Sequence, residues 1–164
     1  MRLLMSKAQQ YLSILSVLLF TLLISNTSLA MTNLNTNAPT SIAAYTGKGH
    51  WTIMQAWISS CAICNKEMPE FVKNVPRFPN TKVIGISLDG NKQRAQQFVT
   101  KHRVNFPTIL TNTQEFNNYL LQAADEKLTG TPTYLIFDPR GTLVAVQQGH
   151  VPFGSIYNFI TSQQ

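Results

Sequence analysis

Two cysteines, Cys61 and Cys64, stand three positions apart where the sequence changes its period. Upstream, Trp51-Thr52-Ile53-Met54-Gln55-Ala56-Trp57 reads as a strand rich in β-branched and aromatic residues. Downstream, Cys64-Asn65-Lys66-Glu67-Met68 opens a helix predicted over about residues 62–75, with a break near Pro69. A strand that feeds a helix through so short a loop is half of a βαβ unit. Two thiols at i and i+3 on a first helical turn lie on one side, close enough for a disulfide. Cys61 also falls where the unsatisfied N–H groups of the helix point outward, a field that stabilises a thiolate. A nucleophilic thiolate with a second thiol beside it is equipment for thiol–disulfide exchange.

Plainer uses of the pair fit the sequence less well. A structural staple usually closes a longer loop than this one, because a short loop restricts the unfolded chain less. A zinc site needs two more ligands, and His50, His102 and His150 are scattered singly and read as surface or loop histidines. Covalent c-type haem needs histidine directly after the second cysteine, and that position is Asn65.

Residues 1–30 are expected to be a secretory signal. Arg2 and Lys7 form a basic start, Leu12 to Ile24 an apolar run, and Ser28-Leu29-Ala30 a small-residue exit with cleavage after Ala30. The alternative is an uncleaved anchor, although the run is short for a span of about 20 residues. Export places the cysteines in an oxidising compartment, where disulfides persist. Losing Arg2 and Lys7 lowers the formal charge from +6 to +4. The remaining basic residues are dispersed, which argues against nucleic-acid binding. What is left suits one domain. The polar stretch from residue 31 is read as a flexible linker reaching residue 44, ahead of a domain over residues 45–164.

Within that domain, Ile42 to Tyr45 is expected as a short edge strand and Thr46 to Gly49 as a turn. Residues 82–88 form an apolar run suited to a buried parallel strand, and residues 91–103 a helix. Pro107 to Leu110 follows as an extended piece, then a helix over 113–124. Thr133 to Phe137 and Thr142 to Gln148 read as a hairpin around Asp138-Pro139-Arg140-Gly141, and residues 152–162 as a closing helix. The predicted class is α/β, a central mixed sheet with helices on both faces. In such a fold the cysteines lie beyond the carboxyl end of the first long strand.

These residues resemble the thioredoxin superfamily, and within it the TlpA-like exported thiol–disulfide oxidoreductases. Trp57 through Pro69 is similar to that group's tryptophan, CxxC and Lys-Glu-x-Pro block. Gly130-Thr131-Pro132-Thr133 through Asp138 is similar to its second block, in which the proline is cis and faces the active site. Arg140-Gly141 followed by Gly149 is similar to its hairpin and closing turn. Two departures stand out. Ser60 replaces the tryptophan that often precedes the first cysteine, and Gln55 stands where cytosolic thioredoxins bury an aspartate.

The resemblance implies a thioredoxin-like fold and a protein-disulfide reductase. Cys61 would attack a partner's disulfide and Cys64 would resolve the mixed disulfide. Thr131 and Pro132 would present backbone to an extended substrate, with Trp57 a third substrate-binding candidate whose plain alternative is a core position. Glu67, on the same helical side as Cys64, would hold or accept the proton that Cys64 loses. The plain alternative is a surface glutamate paired with Lys66 or Lys73. No metal and no cofactor beyond the redox-active pair is expected. The expected partners are envelope proteins with disulfides, apocytochrome c among the candidates, and an upstream, membrane-bound electron donor. The setting is the periplasm or another exported space, with membrane association only if the signal is retained. Other readings are a disulfide oxidase or isomerase and a copper-binding chaperone. A peroxidase would need Pro and Thr where Met54 and Ile58 stand.

Overall fold

The computed structural model describes residues 31–163. The expected signal and its cleavage point lie outside them. The strand order is β1-β4-β3-β2-β5-β6 in one sheet. Strand β1 is Thr32–Asn33, β2 Trp51–Trp57, β3 Thr81–Ser87, β4 Thr108–Leu110, β5 Thr133–Phe137 and β6 Leu143–Gln148. Helices α1 (Ala62–Asn74), α2 (Lys92–His102), α3 (Thr113–Ala124) and α4 (Phe153–Ser162) complete the chain, with short 3-10 segments at Ile42–Tyr45 and Val75–Arg77. Strands β2, β3 and β4 run parallel, while β5, β6 and β1 join antiparallel, so the sheet is mixed.

Period-two alternation along β2 sends Trp51, Ile53 and Trp57 to one face and Met54 and Ala56 to the other. The first face packs against Cys64, Met68 and Phe71 of α1, Ala95 and Phe98 of α2, and Ile156 and Ile160 of α4. The second packs against Phe116 and Leu120 of α3 and Ile42. Gly85 of β3 lets the neighbouring strand close in. A Cβ there would fall 2.8 Å from Thr108 Oγ1 and 3.3 Å from the Phe106 ring.

Two helices start on side-chain caps that the sequence carries openly. Asn91 Oδ1 accepts from the Arg94 N–H at 3.0 Å, and Asn112 Oδ1 from the Glu115 N–H at 2.9 Å. The hairpin turn is held by Asp138, whose Oδ1 accepts from the Arg140 and Thr142 N–H groups at 2.9 Å each.

Three expectations need correction. Residues 31–44 do not form a free linker: Thr32 pairs with Leu110, Asn33 with Ile109, and Leu34 is buried in the core. Ile42 to Tyr45 is a 3-10 turn, not an edge strand, because Ser41 Oγ caps the Ala44 N–H and Ile42 drops into the α3 face. Helix α1 also continues through Pro69 to Asn74. Burial of Met68 and Phe71 on either side of Pro69 outweighs the single backbone bond that a proline removes.

Candidate functional site

The loop that follows β2 is tied down before it reaches the cysteines. The Trp57 carbonyl accepts from Leu88 N–H at 2.8 Å, and Ile58 carbonyl from Cys61 N–H at 3.0 Å. Asp89 Oδ1 accepts from the Ser59 N–H at 3.1 Å and from its hydroxyl at 2.6 Å, while Oδ2 accepts from Ser87 Oγ–H at 2.9 Å. Asn65 fastens the loop from the helix side. Its amide donates to the Ser59 carbonyl at 2.8 Å and to the Cys61 carbonyl at 2.9 Å. Its Oδ1 accepts from Lys101 Nζ at 2.8 Å and from His102 Nε2 at 2.9 Å. The start of α1 is thereby bolted to the end of α2.

Cys61 is the N-cap of α1, and its sulfur accepts from the Cys64 N–H at 3.0 Å. Cys61 and Cys64 form a disulfide with Cα atoms 5.3 Å apart. Their environments differ. Cys61 is partly exposed beside the exposed Ile63, whereas Cys64 is wholly buried under α1. The first sulfur can therefore meet a partner, and the second can meet only the first.

The distant second block arrives at the same place. The Thr131–Pro132 peptide is cis, and the Thr131 carbonyl oxygen lies 3.3 Å from Cys61 Sγ. The Pro132 carbonyl accepts from the Gly149 N–H at 2.7 Å, which brings the β6–α4 turn to this edge. That turn carries His150, whose Nδ1 pairs with Glu67 Oε1. Glu67 thus sits half-buried on α1 with a histidine partner, where pairing with Lys66 or Lys73 was the plain expectation. Beside it, a cavity of about 920 Å³ is lined by Glu67, His150, Tyr134 and Phe153 among others. Burial raises the Tyr134 hydroxyl pKa, the Glu67 charge raises it further, and a hydrogen bond from Gln55 opposes both. That bond runs from Gln55 Nε2 to Tyr134 Oη at 2.9 Å, inside the core.

Trp57 does not belong with the substrate-binding candidates. It is fully buried and stacks on Phe98 with ring centroids 4.1 Å apart. Phe98 in turn packs on His102 at 4.4 Å. Trp57 therefore supports the loop from beneath, and no substrate reaches it.

The structure also assigns work to residues that the sequence left idle. Asn65 follows Cys61 by one helical turn, so its reach back to the loop is a local signal that spacing could have exposed. His102, read as a surface or loop residue, is buried, and burial followed by the Lys101 charge holds its pKa below the usual histidine value. Asp89 and His150 meet the site only through tertiary contacts and leave no local trace. Among the described residues, no group of three or more His, Cys, Asp or Glu converges to hold a metal ion, and no helix is long and apolar enough to cross a membrane.

Comparison with known proteins agrees with this geometry. The model of the AhpC/TSA family matches residues 25–146. Thiol-disulfide oxidoreductase ResA of Bacillus subtilis is 24% identical over 69% of this chain and 61% of its own length. Sporulation thiol-disulfide oxidoreductase A of the same organism is 30% identical over 42% of this chain and 44% of its own. The chain therefore spans less than two thirds of either relative. Among solved structures, MTB dsbF in its mixed oxidized and reduced forms superposes with a TM-score of 0.66 at 20% identity, covering 82% of this chain and 94% of that one. The fold is thioredoxin-like.

Proposed function

The chain belongs to the AhpC/TSA family, and on that footing we propose that it is an exported thiol–disulfide oxidoreductase that reduces disulfides in envelope proteins. The observation that carries this reading is the asymmetry of the cysteine pair. One sulfur is accessible at a helix N-terminus, and its partner is buried directly behind it. The relatives named as thiol-disulfide oxidoreductases support the same activity.

In the reduced protein, the backbone N–H of Cys64 and the helix field stabilise a Cys61 thiolate. That thiolate attacks one sulfur of a partner's disulfide. A mixed disulfide forms at Cys61 and the partner's other sulfur leaves as a thiolate. Cys64 then loses its proton and attacks Cys61 Sγ, which restores the Cys61–Cys64 disulfide and expels the partner's second thiolate. Two electrons pass to the partner, and a dithiol donor upstream must return them. Thr131, whose carbonyl lies beside Cys61 Sγ, offers backbone to an extended partner segment, with Pro132 shaping that edge. Glu67, one turn along from Cys64, takes the proton as Cys64 reacts. The direction proposed is reduction of substrates, apocytochrome c among the candidate classes. Residues 1–30 direct export and are removed near Ala30. The peroxidase reading is not favoured, since Met54 and Ile58 stand where it needs Pro and Thr.

Insulin reduction by the dithiothreitol-coupled protein tests the activity. The wild-type chain should accelerate precipitation of the insulin B chain, and Cys61→Ser should abolish the acceleration. A wild-type rate no faster than dithiothreitol alone would remove the reading.

A further inference from the structure

The reaction leaves one problem. Cys64 must release a proton, yet its residue is 0% exposed and no water reaches it directly. Glu67 lies three residues on along α1, where helical neighbours stand about 5–6 Å apart. Its side chain is only 18% exposed, and His150, at 60%, holds its Oε1 through Nδ1. Among the described residues the Glu67 side chain makes no other hydrogen bond or ion pair, although its charge also acts on Tyr134. Buried thiol, half-buried carboxylate and exposed imidazole thus form a graded series from core to solvent.

Resting on the exchange chemistry proposed above, we propose that His150 is a positioning residue that orients Glu67 and carries the Cys64 proton onward to water. As Cys64 sulfur attacks Cys61 Sγ, its proton passes to the Glu67 carboxylate, and the partner's sulfur departs with the electron pair of the broken S–S bond. Glu67 hands that proton to Nδ1 of neutral His150 in its Nε2–H tautomer, the ring releases the Nε2 proton to solvent, and the Nδ1–H left behind donates to the ionised carboxylate, the contact seen in the disulfide form. Glu67 ends ionised and ready for the next turnover. When an upstream donor reduces the protein, the route runs backward and returns a proton to Cys64. The His150 backbone suits the task, because the Gly149 N–H is fixed to the Pro132 carbonyl at 2.7 Å. The histidine is therefore carried by the same strand edge that faces Cys61.

The route has a distinctive pH dependence. Only the neutral ring, with a free Nδ1 lone pair, accepts the proton. The other ionisable groups lining the cavity are Glu70, Lys73 and Arg77 on and after α1, and Tyr134 on β5. The Cys64 thiol also loses its proton more readily as the pH rises, so the share of the pH dependence that belongs to the relay is the difference between wild type and His150→Asn.

Stopped-flow reaction of the reduced full chain with a chromogenic aromatic disulfide separates the two steps: mixed-disulfide formation at Cys61, then attack by Cys64. For His150→Asn, the second phase should slow about tenfold near neutrality, short of the roughly hundredfold that losing a general base itself costs. Its rise with pH should be shallower than that of the wild type, and added imidazole should restore the rate. Glu67→Gln should slow the same phase, make His150→Asn silent and abolish the imidazole rescue. A His150→Asn second phase at the wild-type rate overturns the relay. So does a slowed phase that imidazole cannot restore and that adds to Glu67→Gln. A wild-type protein with no first phase at all overturns the exchange reading, and the relay with it.

Discussion

Asn65→Ala is the sharpest probe of how the loop is held. The asparagine makes four hydrogen bonds that join the active loop to α2. Their values differ with their surroundings. Lys101 is exposed, and its ammonium returns to water at little cost. The Ser59 and Cys61 carbonyls are partly exposed, so losing those two bonds costs about 1–2 kcal/mol together. His102 is 8% exposed, and leaving its Nε2–H without a partner costs about 1–3 kcal/mol. Alanine returns about 0.5 kcal/mol through helix propensity. The net loss is about 2–4 kcal/mol. Urea unfolding of the oxidised protein at pH 7 measures it, and an unchanged m-value would show that the native state keeps its compactness. Asn65→Asp separates the two halves of the clamp. The carboxylate still accepts from Lys101 and His102, but it cannot donate to the loop carbonyls. It also puts negative charge one turn from Cys61. It should therefore retain more stability than the alanine variant while slowing alkylation of Cys61 at neutral pH. A loss below 0.5 kcal/mol for Asn65→Ala would refute the clamp.

Two further outcomes follow from the same packing. His102 is held neutral in the fold, first by burial and then by Lys101, while the unfolded chain takes up its proton near pH 6.5. Stability from this residue is therefore full above that pH and falls as acid is added through the window down to the lowered folded pKa. The urea midpoint should drop between pH 7.5 and 5, and by less in His102→Gln; an equal drop would discount the histidine. Gly85→Ala forces a methyl against Thr108 Oγ1 at 2.8 Å, with Phe106 blocking retreat, and should cost about 1–3 kcal/mol. Pairing it with Thr108→Ala should recover part of that loss in thermal or urea unfolding.

The sequence carried what is local. The strand over 51–57 and the apolar run near 82–88 declared themselves by pattern, and the helices after them by composition and spacing. Cys61 and Cys64 were legible because a helix start and an i, i+3 spacing act within a few residues. Leu34 shows the opposite case. A single apolar residue in a polar stretch has no periodicity, and only the groove beside β4 gives it a place. Ile42 to Tyr45 was too short for pattern to separate strand from 3-10 turn. Pro69 was read as a break because local propensity cannot see the core contacts that keep the helix going. The spacing of His102 with Ala95 and Phe98 puts it on one helix face, but neither its bond to Asn65 nor the grip of His150 on Glu67 shows in the sequence. Those pairings are 37 and 83 residues apart in the chain and depend on the whole fold.

The claim that Cys61 attacks while buried Cys64 resolves is tested most directly by mixed-disulfide trapping. Reduced Cys64→Ala and Cys61→Ala proteins are each incubated with a disulfide-bonded peptide, and the products are weighed by intact-mass spectrometry. The account predicts a stable peptide adduct on Cys61 of the first variant, forming rapidly at neutral pH, and little or none on the second. Rapid adduct formation at Cys64, with Cys61 unreactive, would contradict it.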